Sequence, residues 1–393
     1  MQRGIQFHLP NTVIIQNHPL MKLVFLFALF LCVCSCSETN KPVIPANDGL
    51  PTGSLHNARI DSSLLHSMDS NILNNTYPNI HSVLIWKNNS LVFEKYYSGK
   101  DEIWGDDIGL TNFHTDSLHD IRSVTKSIVS ACVGLAIAQG KIKSVDQRVF
   151  DFYPEYRHLD TGLKSNLTIK HLLTMSTGQV WNEDVPYTDS ANSEIRMTRS
   201  DDPVAYALSQ PIEKAPGTEW KYNGGSTQVL ASIIKKTTGK RVDAFAGEYL
   251  FKPLGITKFT WTKYAGTDLP AAASGLRLTS RDLVKFGVLY LNGGEFDGKN
   301  ILPANWIEES TEMHINRPPF GDIKQGYGYQ FWLSILPSQQ KNVAVAIGNG
   351  NQRVLIDKNN RMIVVITAGN YNNWTLTNNS DKLILDFIYP AIQ

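Results

Sequence analysis

Ser123 and Lys126 stand three residues apart at the start of a long apolar stretch, within the segment DIRSVTKSIVSACVGLAIAQGK, residues 120–141. Residues at positions i and i+3 share one face of a helix, so a hydroxyl and an amine at this spacing can meet. Burial disfavours the charged form of a lysine and lets its amine accept a proton. Free N–H groups in the first helical turn can hold an oxyanion. The spacing therefore predicts a nucleophilic serine and its base, with a helix cap beside a structural lysine as the alternative.

The Ser-x-x-Lys spacing is weak evidence alone, because it occurs three times, as Ser123/Lys126, Ser232/Lys235 and Ser338/Lys341. Ser338 lies in the polar loop LPSQQK. Ser232 lies in the middle of a predicted helix, where a serine hydroxyl tends to bond back to the helix backbone. Only the pair at Ser123 begins a helix that is apolar enough to be buried.

The motif SVTKS at the start of an apolar helix resembles the Ser-x-x-Lys signature of the serine β-lactamase and penicillin-binding-protein superfamily. The resemblance spans most of residues 80–390 and is closest to the branch of class C β-lactamases, esterases, D-amino-acid peptidases and amide hydrolases. Further segments resemble that branch in the expected order, namely LTIKHLLTMSTG, APGTEWKYNGG, LFKPLGI, GLRLTSRDLVKFGVLYLNGG and GYGYQFWL. The resemblance implies a serine hydrolase that needs no metal and no cofactor.

By this resemblance, Ser123 matches the nucleophile and Lys126 matches its proton acceptor. Tyr222, in WKYNGGS, matches a tyrosine that exchanges protons with the nucleophile and the leaving group. A tyrosine near two cations loses its proton far below its usual pKa, so a lowered pKa is expected for Tyr222. The branch usually carries an asparagine where this chain has Gly224, and the adjacent Asn223 is an open substitute for it.

The third motif of the branch corresponds to GNGNQ, residues 348–352, where Asn349 replaces the usual lysine or histidine. The resemblance implies that the backbone N–H near Gln352 completes an oxyanion hole with that of Ser123. The expected oxyanion and substrate contacts in this motif are Asn349, Gly350, Asn351 and Gln352. An asparagine offers only an amide hydrogen bond, which favours an uncharged ester or amide over a penicillin carboxylate. Arg353 is an alternative source of the missing charge.

Strand patterns lie at both ends of the folded part, with helical patterns between them. HSVLIWKNNSLVFEKYYSG, residues 81–99, reads as a hairpin, and KNVAVAIGN, QRVLIDKNN and RMIVVITAGN are short strands separated by turns. Adjacent strands joined by tight turns must be antiparallel. The sequence predicts an α+β fold, in which an antiparallel sheet from both chain ends is flanked by helices and a mainly helical subdomain, about residues 142–270, is inserted.

Local signals also predict individual helix ends. Thr168 is a predicted N-cap, and Gly178 is predicted to end the helix that follows. A later amphipathic helix should end at Gly239. Thr279 and Asp282 form a capping-box pattern. A last helix is predicted in DKLILDFIYPAI and covers one face of the sheet.

The N-terminal region predicts export. Met21 begins MKLVFLFALFLCVCSCSETN, in which one lysine precedes an apolar stretch too short to span a membrane but suited to a signal peptide. The ending VCSC resembles a bacterial lipobox, which implies cleavage before Cys36 and lipidation of that residue; an ordinary signal peptide is the alternative. The predicted domains are a signal region 1–36, a flexible tether 37–55 and the hydrolase domain 56–393, with the hypothesis that translation truly starts at Met21. The protein is thus predicted to be anchored by lipid to a membrane of the bacterial cell envelope.

Composition excludes several other classes of function. The formal charge of the 393 residues is +1, without the clustered positive face that nucleic acid requires. His158, His171 and His314 have no metal-ligand spacing, and no Gly-x-Ser-x-Gly elbow supports an α/β-hydrolase triad. Cys132 lies inside the apolar helix and is interpreted as a small hydrophobic residue.

The sequence therefore predicts a serine hydrolase that cleaves a small or peptide-like ester or amide through an acyl-enzyme on Ser123. The changes at Gly224 and Asn349 leave a second hypothesis, a non-catalytic or penicillin-binding receptor for cell-wall peptides on the same scaffold. Nothing in the sequence indicates an oligomeric state.

Overall fold

The structure is a computed structural model, which describes residues 48–393 apart from 321–322, 336–341, 374 and 377. The predicted signal region, including Met21 and Cys36, lies outside the described residues, and so does most of the predicted tether. The predictions of export and lipidation therefore stay predictions. Within the described part of the chain, no helix is both long enough and apolar enough to cross a membrane.

Strands at both ends of the chain form one antiparallel sheet, as predicted. Its order is β10-β11-β12-β13-β14-β15-β1-β2, so the last strand of the chain pairs with the first. The strands are β1 (Ile80–Lys87), β2 (Ser90–Tyr96), β3 (Ser98–Ile103), β4 (Asp106–Asn112), β5 (His119–Asp120), β6 (Thr260–Trp261), β7 (Leu276–Leu278), β8 (Glu295–Phe296), β9 (Lys299–Asn300), β10 (Ile315–Phe320), β11 (Ile323–Tyr327), β12 (Trp332–Ile335), β13 (Asn342–Gly348), β14 (Gln352–Asp357) and β15 (Met362–Ala368).

Most of the helices lie between β5 and β13. They are preceded by α1, which lies before the sheet, and followed by α10, which continues as a π-helical turn over Ile384–Ile388. The helices are α1 (Ser62–Leu73), α2 (Thr125–Ala138), α3 (Ile169–Leu173), α4 (Ser193–Thr198), α5 (Pro203–Ser209), α6 (Gly224–Thr238), α7 (Val242–Ala246), α8 (Ser280–Leu291), α9 (Ala304–Ser310) and α10 (Asn379–Leu383).

The two faces of the sheet bury two separate sets of apolar side chains, because successive residues of a strand point to opposite faces. On β15, Ile363 and Val365 belong to the larger cluster with α2, α6 and α8, whereas Val364 and Ile366 belong to the cluster with α1 and the C-terminal helix. Helix α8 approaches the sheet closely, since a Cβ built on Gly287 would lie 2.6 Å from Ile363 Cγ2. The sheet is thus covered by helices on both faces.

Most of the predicted helix ends are confirmed. The capping boxes at Thr168 and Thr279 are both formed, and Gly239 ends α6 in the left-handed region, with φ 75°. The prediction for Gly178 was wrong, because α3 already ends at Leu173. Between Leu173 and Gly178 the chain is no longer helical, and Met175 adopts a positive φ of 53°.

The predicted tether ends earlier than residue 55. Leu50 is buried, and the backbone of residues 51–53 exchanges hydrogen bonds with Leu91 at the start of β2. Asp48 accepts hydrogen bonds from the buried Arg281 guanidinium at 2.9 and 3.0 Å. Residues 48–55 therefore belong to the folded domain, where hydrogen bonds and an ion pair hold them against β2 and α8.

Candidate active site

Ser123 lies in a short 3-10 turn, Arg122–Val124, that leads directly into α2. Arg122 adopts a positive φ of 48°, which is an unfavourable conformation for a residue with a side chain. Such strain persists where the surrounding structure enforces it, often at functional sites. Helix α2 is apolar nearly all round and is buried along its length. Ser123 therefore lies just before a buried helix, and Lys126 lies in the first turn of that helix.

The amine of Lys126 meets the Ser123 hydroxyl as the spacing predicts. Lys126 Nζ donates hydrogen bonds to Ser123 Oγ at 3.0 Å and to the carbonyl oxygen of Ala273 at 3.0 Å. The lysine is 2% exposed, whereas Ser123 is half-buried and lines a cleft. The pair Ser232/Lys235 makes no such contact, because Lys235 is exposed and lies 3.9 Å from Asp268. The pair Ser338/Lys341 lies outside the described residues.

Tyr222 completes the group, but its environment differs from the expected one. Lys126 Nζ lies 4.8 Å from the centre of the Tyr222 ring. Burial and the nearby carboxyl groups of Glu183 and Glu194 raise the pKa of Tyr222 well above its usual value, although its hydrogen bond with Ser123 opposes this shift. The expectation of a lowered pKa was therefore wrong. Tyr222 is a phenol at neutral pH and is suited to donating a proton.

Glu183 and Glu194 form a buried pair of carboxyl groups beside the nucleophile. Glu183 accepts hydrogen bonds from Trp181 Nε1 at 2.6 Å, Gly224 N at 2.5 Å and the Tyr187 hydroxyl at 2.8 Å. Burial and the charge of Glu183 raise the pKa of Glu194 to about 7, although Lys126 acts in the opposite direction. Glu194 is therefore partly protonated near neutral pH, beside a carboxyl group that accepts three hydrogen bonds.

No pattern in residues 180–200 of the sequence predicts this pair. Trp181 is buried in the core, and it holds Glu183 through its indole N–H. Glu194 lies on α4, whose N-cap Asn192 accepts hydrogen bonds from the backbone of Glu194 and Ile195. An Asn-Ser-Glu cap pattern was therefore the only local signal available.

The cleft in front of Ser123 has a volume of about 260 Å³. Its walls come from the hairpin of β3 and β4, from α4 and its preceding loop, and from the turns that follow β13 and β15. The lining residues are Glu102, Trp104, Gly105, Arg122, Ser123, Tyr187, Thr188, Glu194, Ile195, Thr198, Ser274, Asn349 and Asn372. The cleft therefore combines one hydroxyl nucleophile with carboxyl, guanidinium and amide groups.

Of the third motif, Asn349 reaches this cleft. Its side chain donates to Asn372 Oδ1 at 2.8 Å and accepts from Asn372 N at 3.0 Å, so both ends of its amide are already engaged. The motif adjoins the nucleophile, since a Cβ built on Gly348 would lie 2.4 Å from the carbonyl oxygen of Ile121. Gly350 supplies the turn with a φ of 88°.

The other two residues of the motif use their side chains inside the fold. Asn351 Nδ2 donates to the carbonyl oxygen of Leu376 at 2.6 Å. Gln352 is fully buried and bonds through its side chain to the backbone of Ala368. Neither side chain lines the cleft, so a substrate contact there is limited to their backbone groups. The oxyanion role expected of the backbone N–H near Gln352 does not depend on these side chains and stays a prediction.

Two suggested substitutes for missing motif residues have other tasks. Asn223 caps α6, where its Oδ1 accepts from Ser226 N at 3.1 Å. Arg353 binds Asp381 with two hydrogen bonds of 2.8 and 2.7 Å and does not line the cleft. Neither residue therefore replaces the asparagine or the basic residue that the branch usually has.

Three buried residues, His81, Asp101 and His119, form the one group among the described residues whose ligand atoms are close enough to hold a metal ion. However, His81 Nδ1 lies 2.8 Å from His119 Nε2, and His119 Nδ1 lies 2.9 Å from the carbonyl oxygen of Asp120. Burial lowers the pKa of both imidazoles. A chain of hydrogen bonds between neutral rings accounts for this arrangement, and we assign no metal to it.

Comparison with known proteins agrees with this geometry. The family model described as Beta-lactamase matches residues 81–383, which is most of the chain. The chain belongs to this family. The family match confirms the resemblance inferred from SVTKS and the segments after it.

Individual relatives are distant but share the fold. The 6-aminohexanoate-dimer hydrolase of Paenarthrobacter ureafaciens is 27% identical over 270 residues, which are 64% of this chain and 66% of that protein. The chain thus spans just under two thirds of that relative. An octameric penicillin-binding protein homologue from Pyrococcus abyssi aligns with a TM-score of 0.60 at 19% identity, over 83% of this chain and 77% of that one. A family VIII carboxylesterase aligns with a TM-score of 0.60 at 15% identity, over 82% and 97%. The two structural matches confirm the predicted α+β fold.

Proposed function

We propose that this member of the Beta-lactamase family is a serine hydrolase that cleaves an ester or amide through an acyl-enzyme on Ser123. The observation that carries the proposal is the 3.0 Å contact between Ser123 Oγ and the buried Lys126 Nζ. Tyr222 lies beside both groups, with its ring centre 4.8 Å from Lys126 Nζ and its hydroxyl hydrogen-bonded to Ser123. The relative named as a hydrolase and the carboxylesterase of the same fold support it.

In the proposed first step, Ser123 Oγ bonds to the substrate carbonyl carbon and its proton passes to Lys126 Nζ. Backbone N–H groups of Ser123 and Gln352 hold the oxyanion that forms. The bond to the leaving oxygen or nitrogen then breaks as the Tyr222 hydroxyl donates its proton to that atom. Lys126 returns its proton to Tyr222, which restores the amine and the phenol and leaves the acyl group on Ser123.

In the second step, water attacks the acyl carbon and gives up a proton to Lys126, which passes it to Ser123 Oγ as the acyl bond breaks. The product acid leaves, and the enzyme returns to its starting state. The first proton transfer is supported by the hydrogen bond between Lys126 Nζ and Ser123 Oγ, and no cofactor takes part in this scheme.

The groups around the cleft favour a substrate that is uncharged at its reacting carbonyl. Asn349 stands where the branch has a basic residue, and its amide is engaged by Asn372. Glu194 lines the same cleft and acquires negative charge around neutral pH. A penicillin carboxylate placed beside these groups would lack the usual cation. We therefore propose a small or peptide-like ester or amide as the substrate, rather than a β-lactam.

The proposal is tested with purified protein, a fluorophosphonate probe and a chromogenic ester. The wild type should be labelled and should turn over the ester, and Ser123→Ala should lose both. Ser232→Ala is the matched control, because it removes the serine of another Ser-x-x-Lys pair and should leave labelling and turnover intact. Undiminished turnover by Ser123→Ala would refute the assignment.

The departures at Gly224 and Asn349 support the second candidate, a non-catalytic receptor for cell-wall peptides. The same protein separates the two candidates when it is incubated with a labelled penicillin. Stable labelling of Ser123 without ester turnover would favour a penicillin-binding receptor, whereas turnover without stable labelling favours the hydrolase.

We also propose that the protein is exported and anchored by lipid on Cys36. The support is the sequence MKLVFLFALFLCVCSC, in which a lysine, an apolar stretch and small residues precede the cysteine. Intact mass of the protein expressed in bacteria should show a diacylated N-terminal cysteine, and Cys36→Ala should remain an unprocessed precursor. A mature N-terminus elsewhere than Cys36 would contradict the lipid anchor.

A further inference from the structure

The residue just before the nucleophile adopts a conformation that an arginine does not favour. Arg122 has a φ of 48°, in the left-handed region where the Cβ of any residue other than glycine crowds the backbone. Ser123 follows directly and meets Lys126 Nζ at 3.0 Å. The backbone conformation at residue 122 therefore sets the direction from which the hydroxyl and the N–H of Ser123 enter the cleft.

The side chain of Arg122 is held by groups from three separate segments. Its guanidinium is ion-paired with Glu102 on β3, and its Nη2 lies 3.5 Å from Asp120 Oδ2 on β5. Its Cζ lies 4.6 Å from the ring centre of Tyr371, in the turn that follows β15. Strained backbone persists where the surrounding contacts over-determine it, and these three contacts act on residue 122.

Two of the groups that hold Arg122 are themselves fixed by buried partners. Asp120 is buried and is ion-paired with Arg277 on β7 at 2.8 Å. The hydroxyl of Tyr371 donates a hydrogen bond to the buried Asp101 at 3.0 Å. Networks of this kind rigidify the groups that they connect. Arg122 is thus held from the interior of the fold, unlike an arginine in an isolated surface ion pair.

Tyr371 also packs against the turn of the third motif. A Cβ built on Gly350 would lie 2.6 Å from Cδ1 of the Tyr371 ring. The neighbouring Asn372 is joined to Asn349 by two hydrogen bonds of 2.8 and 3.0 Å, so the turn and the tyrosine are linked twice. One ring therefore touches the residue before the nucleophile and also the turn that leads into Gln352. These are the two segments that supply the proposed oxyanion N–H groups.

We propose that Arg122 and Tyr371 are positioning residues, which keep residue 122 in its left-handed conformation and so fix Ser123 against the turn before Gln352. The inference rests on the proposed function, because it concerns the two N–H groups that would hold the oxyanion. Such donors act only when they are aimed at the place that the oxyanion will occupy. A displacement of about 1 Å can lower the rate about 10²-fold. The role requires no contact between either side chain and the substrate.

The test compares two substitutions that remove the same side-chain contacts but differ in backbone preference. Arg122→Ala keeps a Cβ, so residue 122 should relax toward a negative φ and move Ser123. Arg122→Gly can keep the left-handed conformation without steric cost. In purified folded protein, kcat for the chromogenic ester should fall about 10²-fold in Arg122→Ala but only about tenfold or less in Arg122→Gly. KM should change less than about threefold in both.

Arg361 provides the matched control, because it is an exposed arginine with nearly the same backbone conformation, φ 47°, in the turn before β15. Arg361→Ala should be less stable toward urea than Arg361→Gly, but both should keep the wild-type kcat. Substitutions at Tyr371 test the second residue. Tyr371→Leu, which loses the ring, should lower kcat about tenfold, and Tyr371→Phe, which keeps the ring, should restore most of that loss.

Equal losses in Arg122→Ala and Arg122→Gly would assign the effect to the missing guanidinium rather than to the backbone, and would overturn the positioning role. An unchanged kcat in both variants would also overturn it and would leave the hydrolase proposal intact.

The rate at which a fluorophosphonate labels Ser123 separates the two proposals, because labelling needs an aligned nucleophile but no turnover of ester. The labelling rate should fall in the order wild type, Arg122→Gly, Arg122→Ala. If this order is found although the ester is not turned over, the hydrolase proposal fails and the positioning role stands. A wild type that shows neither labelling nor turnover would refute both.

Discussion

The carboxyl group of Glu194 fills the space that a side chain on Gly224 would enter. A Cβ built on Gly224 would lie 2.6 Å from Glu194 Oε2 and 3.0 Å from Glu183 Oε1. Real Cβ atoms do not approach other atoms within the shorter of these distances. The branch usually has an asparagine at the position of Gly224. An asparagine side chain there would overlap the carboxyl groups of Glu194 and Glu183, so the glycine and the pair of carboxyl groups occur together.

Gly224→Ala should destabilise the protein by about 1–3 kcal/mol, since the added methyl group meets a packed carboxyl group. Urea denaturation at constant pH measures this loss. Gly247→Ala is the control, because there the nearest atom to the new Cβ is an edge atom of Phe259 at 3.2 Å. The double variant Gly224→Ala/Glu194→Ala should be less destabilised than the sum of its single variants. Strict additivity would contradict the proposed conflict of space.

The pKa of Glu194 should appear as a pH dependence of stability. This pKa is raised to about 7 in the folded protein from an ordinary value of 4.5. Between these two values the folded state holds a proton that the unfolded state has released, so stability falls as the pH rises through this window and levels off above pH 7. The fall should amount to at most about 3 kcal/mol.

Glu194→Gln should remove most of this slope, because a glutamine side chain does not titrate. Unfolding free energies at several pH values between 5 and 8 give the comparison. Glu312→Gln, at an exposed position, serves as the control and should keep the wild-type slope. An unchanged slope in Glu194→Gln would show that another group is responsible.

The sheet, the main helices and the nucleophile could be predicted because their signals are local. Alternating strands with tight turns define β1, β2 and β13–β15, and their antiparallel pairing follows from the short connections. Ser123 and Lys126 are three residues apart on one turn, so their contact depends only on helix geometry. Capping residues such as Thr168 and Thr279 act on backbone groups two or three positions away.

The electrostatic surroundings of the site could not be predicted, because they come from segments that are far apart in sequence. Glu183 and Glu194 reach Tyr222 from a stretch without hydrophobic periodicity, and they reverse the expected direction of its pKa shift. Arg317 reaches the same tyrosine from an edge strand of the sheet. Such pairings depend on tertiary packing, which neither propensity nor spacing encodes.

Lys126→Met should lower kcat for ester hydrolysis about 10²- to 10⁴-fold, because it removes the group that accepts the Ser123 proton and preserves the apolar stem. Lys235→Met, from a second Ser-x-x-Lys pair with an exposed lysine, should leave kcat unchanged. Stopped-flow measurement of acylation shows whether the loss lies in the first step. Full acylation rates in Lys126→Met would mean that another group, such as Tyr222, takes the proton.

Tyr222→Phe should separate substrates by the quality of their leaving groups. A nitrophenolate leaves without receiving a proton, so turnover of a nitrophenyl ester should fall less than about tenfold, whereas that of an alkyl ester or an anilide should fall about 10²- to 10⁴-fold. Because the pKa of Tyr222 is raised well above 10, the wild-type rate on the alkyl ester should show no loss from tyrosine ionisation up to pH 10. The opposite result would be a wild-type rate on the alkyl ester that rises with an apparent pKa below 8, with this rise absent in Tyr222→Phe. That result would identify Tyr222 as a phenolate base and would contradict its role as the proton donor.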